Sequence, residues 1–271
     1  MNIFADDCLV YRNINNSSDA RRFLQDLNRL CEWANAWQMR FNEKKCYILN
    51  ITNRRKRHLH TYSMNGINLE TRSNNPYLGV EIQDDLKWTK HIDQATAKAN
   101  RNLGFLRRNL NRCPETIKEQ AYCALVRPHL EYAASSWDPY LKKDILKLEA
   151  VQRRAARFVK NEYNRTPGTV TSLYRDLQWD TLAKRRKVLR LTLFHKALNG
   201  DVCIVLPPYI HTKTRHTRSS LRSRLTSVST SCNAYKYSFF PRTIQEWSTL
   251  PANVTSLNDS KLFKTQLSQL I

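Results

Sequence analysis

The apolar positions change period along the chain, and the change near residue 88 divides it. Ile3-Phe4 and Cys8-Leu9-Val10-Tyr11 are short strand-like runs around Ala5-Asp6-Asp7, which predicts a hairpin over residues 1–12. Ser17-Ser18-Asp19 offers caps for a helix. Phe23, Leu27, Leu30, Ala34 and Trp37 then recur every three or four residues, the spacing of one helical face. Beyond Phe41-Asn42-Glu43-Lys44-Lys45 the period shortens to two, with Tyr47, Leu49 and Ile51 alternating. Leu59 to Met64 and Ile67 to Leu69 flank Asn65-Gly66, a pair that tolerates the positive φ of a tight hairpin turn. Tyr77 to Ile82 reads as a further strand. Residues 1–88 are therefore expected to form an α+β layer of a helix packed on a small antiparallel sheet.

From Trp88 the pattern is helical. Ile92, Ala95, Ala99, Leu103, Leu106 and Leu110 make one stripe. Pro114 opens a second helix, with Ile117, Ala121 and Leu125 inward and an end near Arg127-Pro128. A third runs from after Trp137-Asp138-Pro139-Tyr140 to about Val159, carrying Ile145, Leu148, Ala155 and Val159. Three amphipathic helices on short turns predict a bundle over residues 89–165. Residues 166–271 are expected to be a mostly helical, basic region. It has apolar positions at Leu173 and Leu177, a helix from Leu182 to Leu198, and Gly200 as its stop. Lys213 to Arg224 is Ser/Thr-rich and basic and reads as a loop, and Trp247, Leu250-Pro251 and Phe263 to Leu267 regain structure signals.

Charge sharpens this division. The chain has 45 Lys+Arg against 23 Asp+Glu, a net +22. Residues 1–100 hold +4, residues 101–200 hold +12 and residues 201–271 hold +6. A polyanion partner, nucleic acid before an anionic membrane surface, is expected to meet the later part. No run of about 18 apolar residues is present to span a membrane. The seven cysteines are odd in number, far apart and without a CxxC pair, which argues against zinc ribbons and disulfide frameworks. His58 and His60 beside Arg54-Arg55-Lys56-Arg57 read as surface histidines. The acidic start, Asp6-Asp7, lacks the plan of a signal peptide, so an intracellular chain of nucleus and/or cytoplasm is expected, not a secreted one.

Two features could carry chemistry. Adjacent aspartates on a regular strand point to opposite faces, but at a hairpin tip both Asp6 and Asp7 can approach one cation. Mg²⁺ takes one or two carboxylates plus substrate phosphates, which suits such a tip; a plain acidic turn is the other reading. The second feature is basic. Arg107-Arg108, Arg153-Arg154-Ala155-Ala156-Arg157, Lys184-Arg185-Arg186-Lys187 and the Lys213–Arg224 run either follow a phosphate backbone or are solvated faces. None belongs to a base-reading helix, so backbone and shape recognition is the expectation.

An ordered series of short motifs adds a resemblance. Phe4-Ala5-Asp6-Asp7 is followed by Trp37 to Cys46, then by Tyr77-Leu78-Gly79-Val80 with Leu86-Lys87-Trp88 and His91-Ile92. Leu103 to Arg108, Leu125-Val126-Arg127-Pro128, Leu130-Glu131-Tyr132-Ala133, Trp137-Asp138-Pro139-Tyr140, Val151 to Arg157 and Trp247…Leu250-Pro251 continue it. In order and spacing the series resembles reverse transcriptases of non-LTR (LINE-type, Jockey/CR1-like) retrotransposons over almost the whole chain. The resemblance implies part of a polymerase palm over 1–88, a thumb-like bundle over 89–165 and a C-terminal region over 166–271. It implies Asp6 as principal Mg²⁺ ligand, Asp7 as its weaker neighbour, and a role for Lys45 at the leaving pyrophosphate, where the alternative is a surface-turn cap. The implied partners are an RNA template and an RNA–DNA or DNA duplex, with a deoxynucleoside triphosphate in the complete enzyme. That family supplies a further aspartate from a strand upstream of the box, and fingers; neither precedes Phe4 here, so a truncated chain without polymerase activity of its own is expected. A nucleic-acid-binding protein without catalysis is the alternative.

Overall fold

Residues 2–52, 60–210, 225 and 228–271 are described in the structure, a computed structural model. The chain divides into two units, Met1–Lys90 and His91–Ile271. The Lys213–Arg224 run, the Arg54–Arg57 run and His58 lie outside the described residues. His60 is half-buried, its ring 6.4 Å from that of Tyr62.

The first unit opens with β1 (Asn2–Phe4) and β2 (Asp7–Leu9), an antiparallel hairpin with Phe4 opposite Asp7. The predicted helix is α1 (Ser17–Ala36), capped by Asn16, one residue before the expected caps: Asn16 is extended and its side chain accepts the Asp19 N–H. Ala20, Leu27, Cys31 and Ala34 are its buried residues, while Trp37, past the helix end, is 68% exposed. The inner face packs on Ile48, Tyr62, Met64 and Leu69.

The strands differ from expectation in four ways. β3 (Tyr47–Leu49) buries Ile48 between half-buried Tyr47 and Leu49, so the alternation faces the opposite way. It also pairs in parallel with β6 (Glu70–Arg72), Tyr47 opposite Glu70. β4 (Ser63–Met64) and β5 (Ile67–Asn68) form the Asn65-Gly66 hairpin as predicted, with φ of 48° and 78°. The run from Tyr77 to Ile82 is instead a hairpin, β7 (Asn74–Tyr77) and β8 (Val80–Gln83), because Leu78 and Gly79 both take positive φ, 46° and 77°. In place of one antiparallel sheet, the described residues hold four two-stranded ladders. Mixed helix and small sheets remain an α+β arrangement.

In the second unit, α2 (Thr89–Asn109) buries Ile92, Ala95, Ala99, Leu103 and Leu106, the predicted stripe. α3 (Glu115–Leu125) turns a different face inward: Ile117 and Leu125 are exposed while Lys118 and Tyr122 are buried. The reason lies in its partners. Tyr122 stacks on Trp179 with centroids 4.5 Å apart and donates to Gln152 Oε1 at 3.2 Å, and the Lys118 ammonium lies 5.4 Å from the Phe158 ring. Pro128 does not stop the chain; it sits in the first turn of α4 (Arg127–Glu131), where its missing N–H costs nothing. α5 (Ala134–Trp137) and α6 (Lys142–Lys160) follow, and α6 buries Leu148, Val151, Ala155 and Val159. Asn161, with φ of 53°, ends α6 in the left-handed cap conformation.

After α7 (Thr169–Asp176), α8 (Leu182–Asn199) becomes the centre of the unit and ends at Gly200 as expected. α9 (Asn233–Lys236), α10 (Phe239–Trp247), α11 (Ala252–Thr255) and α12 (Ser260–Leu270) follow. Ile244, Trp247, Leu250, Val254, Phe263 and Leu267 close with Val188, Leu191 and Phe194 into one core. Trp247 lies at its middle, 5.4 Å from each of the Phe194 and Phe263 ring centroids. Because neighbours pack on α8 from several sides, even its Arg186, Arg190 and His195 are buried.

Candidate nucleic-acid interface

The β1–β2 ladder leaves Ala5 and Asp6 as a two-residue loop, and Ala5 takes φ of 51° to close it. Asp6 therefore stands on the tip and Asp7 is the first residue of β2; both are exposed. Arg12, just beyond, donates to Asp26 of α1 at 2.9 and 2.6 Å, which ties the exit of the hairpin to the helix. Two adjacent exposed carboxylates fit Mg²⁺ as a partial donor set, since that ion takes one or two carboxylates and fills its octahedron with phosphates and water. No group of three or more His, Cys, Asp and Glu placed to hold a metal occurs among the described residues.

Lys45 ends a short 3₁₀ turn, Glu43–Lys45, and is exposed. The same turn contains a residue that sequence reasoning passed over. Glu43 is buried and accepts the Asn65 side-chain N–H at 2.7 Å, so it joins the turn to the Asn65-Gly66 hairpin. That hydrogen bond, with help from backbone N–H and Arg40, holds the Glu43 carboxyl below its usual pKa. Next to it, the Cys46 thiol donates to the Asn42 carbonyl at 3.3 Å, and burial pushes its pKa up.

The basic residues of the second unit separate into two groups. In the Lys184–Lys187 run three of the four cations are committed to carboxylates. Lys184 pairs with Asp180 at 2.8 Å, and Arg185 forks onto Glu131, which raises the Arg185 pKa. Arg186 is in the core on Asp138, and Lys187 is half-buried. Arg190, which no motif singled out, joins Arg186 there and pairs with both Asp138 and Glu246. Burial lowers the pKa of Arg186 and Arg190 to about 10, so both remain charged near neutrality.

The other group lies along α2 and α6. Lys147 pairs with Asp93, and Arg154 donates to Asn100, two contacts with the same separation of 54 residues. The helices thus run in the same direction, and successive contacts are two turns apart, about 10 Å. Arg154 is exposed, and Arg153 and Arg157 are half-buried. Two more turns along α2, Arg107 and Arg108 are exposed in its last turn. There an open cavity of about 550 Å³ is lined by Gly104, Arg107, Arg108, Asn111, Asn161 and Tyr163. Of the nine basic residues that the sequence nominated within helices, α2 and α6 thus bring Arg107, Arg108 and Arg154 to exposed positions near one seam.

No family model matches the chain, and no solved structure matches it. The chain is similar to a probable RNA-directed DNA polymerase from transposon BS of Drosophila melanogaster, 25% identical over 190 residues, covering 67% of this chain and 20% of the relative. It is also similar to a probable RNA-directed DNA polymerase from transposon X-element of the same organism, 25% identical over 191 residues, covering 66% and 20%. The chain therefore spans about a fifth of the length of these curated relatives.

Proposed function

We propose that this chain is a reverse-transcriptase-related region of a non-LTR retrotransposon polymerase, and that its second unit holds the template and primer strands by their backbones. The similarity to two transposon RNA-directed DNA polymerases over two thirds of the chain carries this reading. In it, the first unit corresponds to part of a palm and α2, α3 and α6 to a thumb. Mg²⁺, held by Asp6 and Asp7, would neutralise charge on the phosphoryl oxygens during nucleotidyl transfer. The exposed tip presents both carboxylates where a primer end and a deoxynucleoside triphosphate can reach them. Lys45, exposed on its turn, is the candidate cation for the β- and γ-phosphates. Arg107, Arg108 and Arg154 are the candidate phosphate contacts.

A second reading is favoured by one observation: the second unit has its own core and the densest positive charge, so it can bind RNA or an RNA–DNA hybrid without catalysis. A salt titration of hybrid binding by the full chain tests what the two share. Each phosphate contact adds about −0.7 to −0.9 to the log–log slope, so affinity should fall steeply with salt. A flat titration would sink both. Mg²⁺-dependent primer extension by this chain that is lost in Asp6→Ala would overturn the expected lack of activity in the chain alone, and a full-length parent polymerase whose extension ignored Asp6→Ala would overturn the first reading and leave the second.

A further inference from the structure

We propose that the cavity at the end of the α2–α6 seam is a pocket for one unpaired nucleotide of a nucleic-acid strand. This rests on the reading of the second unit as a nucleic-acid holder and adds to it a specific subsite and a preference for single strand at that point.

The pocket exists because of two local features of the backbone. Asn161 caps α6 in the left-handed region, and the Glu162 N–H bonds back to the Arg157 carbonyl at 3.0 Å. The chain therefore reverses and brings Tyr163 to α2, with the Arg107 guanidinium carbon 5.7 Å from its ring centroid. On the facing helix, Gly104 lies one turn before Arg108 and lines the cavity beside it; a Cβ at Gly104 would meet the Arg108 guanidinium at 3.5 Å, an ordinary contact. One arginine thus lies by an aromatic ring and the other across a glycine, with the cavity between them.

The lining chemistry matches the parts of a nucleotide. Its two cations, Arg107 and Arg108, have no ion pair among the described residues, and none of the lining residues is a carboxylate. The nearest acidic neighbour in sequence, Glu162, accepts the Asn164 N–H at 2.7 Å. The C-terminal ends of α2 and α6 each contribute about half a negative charge, less in sum than two guanidinium groups. Several terminal carbonyls are also already bonded: Leu106 by the Leu110 N–H at 2.7 Å and Phe158 by that of Asn161 at 3.4 Å. The site therefore favours an anion. Tyr163 is 47% exposed, so its ring can take the face of a base, and Asn111 and Asn161 supply amides for a base edge or ribose. About 550 Å³ is within the range of nucleotide-sized sites. Stacking on Tyr163 needs a base face freed from its neighbours. That selects an unpaired nucleotide over one inside a duplex.

The seam supplies the direction of approach. Arg154 lies about 10 Å before the pocket along α6, a distance a strand spans in a few nucleotides, so a backbone that meets Arg154 can continue to Arg108.

The test uses the full chain with a labelled single-stranded oligo(A) RNA and with a blunt RNA–DNA hybrid. Tyr163→Ala should weaken the single strand about 5- to 100-fold, the effect of one base stacked on an aromatic ring, and Tyr163→Phe should retain binding. Arg108→Ala should reduce the single-strand salt slope by about 0.7. Tyr163→Ala should leave the blunt hybrid unchanged. Should Tyr163→Ala bind the single strand as the wild type does, with both chains still salt-steep, the pocket is overturned and the backbone-holding role stands. An equal loss on strand and hybrid overturns the preference for an unpaired base. A wild-type chain that binds neither probe removes both the pocket and the reading on which it rests.

Discussion

The Asp138 carboxylate accepts the Nε–H of Arg186 at 2.9 Å, with only 7% and 1% of the two side chains exposed. Arg190 occupies its other oxygen, and Arg242 approaches that oxygen at 3.3 Å while donating to the Asp138 carbonyl at 3.1 Å. Glu246 completes the network, 2.6 Å from Arg190 and 3.3 Å from Arg242. The loop between α5 and α6 is thereby joined to α8 and α10 through a buried trio, Asp138, Arg186 and Arg190, with Arg242 and Glu246 half-buried at its edge. A basic run in the sequence has become a structural hub.

Asp138→Asn should therefore act on stability. It leaves buried guanidinium groups without their shared counter-charge, a loss of about 3–5 kcal/mol. Urea unfolding of the full chain should show the midpoint falling accordingly, with hybrid binding retained wherever the chain is folded. Unchanged stability would mean that the network does not form.

Surface cations should behave in the opposite way. Arg154→Ala removes an exposed guanidinium that donates to the neutral Asn100, so the salt slope of hybrid binding should flatten by about 0.7–0.9. Lys184→Ala should move it less, because Lys184 is already neutralised by Asp180 at 2.8 Å. Affinity measured across a range of ionic strength separates the two; equal changes would contradict the assignment of Arg154 to the interface.

The period of the apolar residues carried most of the helical architecture. The stripe of α2 is buried from Ile92 to Leu106, with Leu110 half-buried past the helix end, and Asn65-Gly66 and Gly200 turn and stop the chain as their positive φ allows. What could not be read depended on partners distant in sequence. α3 faces inward through Lys118 and Tyr122 because Phe158, Gln152 and Trp179 receive them, and no local pattern announces those partners. The parallel pairing of β3 with β6 likewise joins segments that periodicity treats alike. At the candidate site the acidic hairpin was legible because its turn is local. The split of the arginines between surface and core was not, since Lys184, Arg185, Arg186 and Lys187 look alike until Asp138, Glu131 and Asp180 are placed.

Glu43 predicts an acid-side pH dependence of the first unit. Its folded pKa lies below the ordinary 4.5, chiefly because Asn65 donates to it. The unfolded chain therefore binds the proton more readily, and stability rises with pH across that window. The contribution is complete above the ordinary value and is lost as pH falls through the folded pKa. Glu43→Gln should flatten this part of the profile. Hydrogen exchange of the Ser63–Asn68 hairpin amides, followed from neutral to acid pH, would show it; an unchanged profile would rule out the Asn65 bond as its source.

The acidic hairpin makes the last prediction. Asp6 on the tip and Asp7 beside it offer two carboxylates, and most of an Mg²⁺ octahedron must come from water or phosphate. Binding of the ion alone should therefore be weak and local. Titration of Mg²⁺ into the labelled chain should shift the backbone resonances of Ala5, Asp6 and Asp7 before those of any α1 residue, and Asp6→Asn should abolish the response. Adding a nucleoside triphosphate should tighten it, because phosphate oxygens then complete the coordination that two carboxylates begin. A response confined to other acidic residues, or one that survives in Asp6→Asn, would remove the hairpin from the metal chemistry and leave it a surface turn.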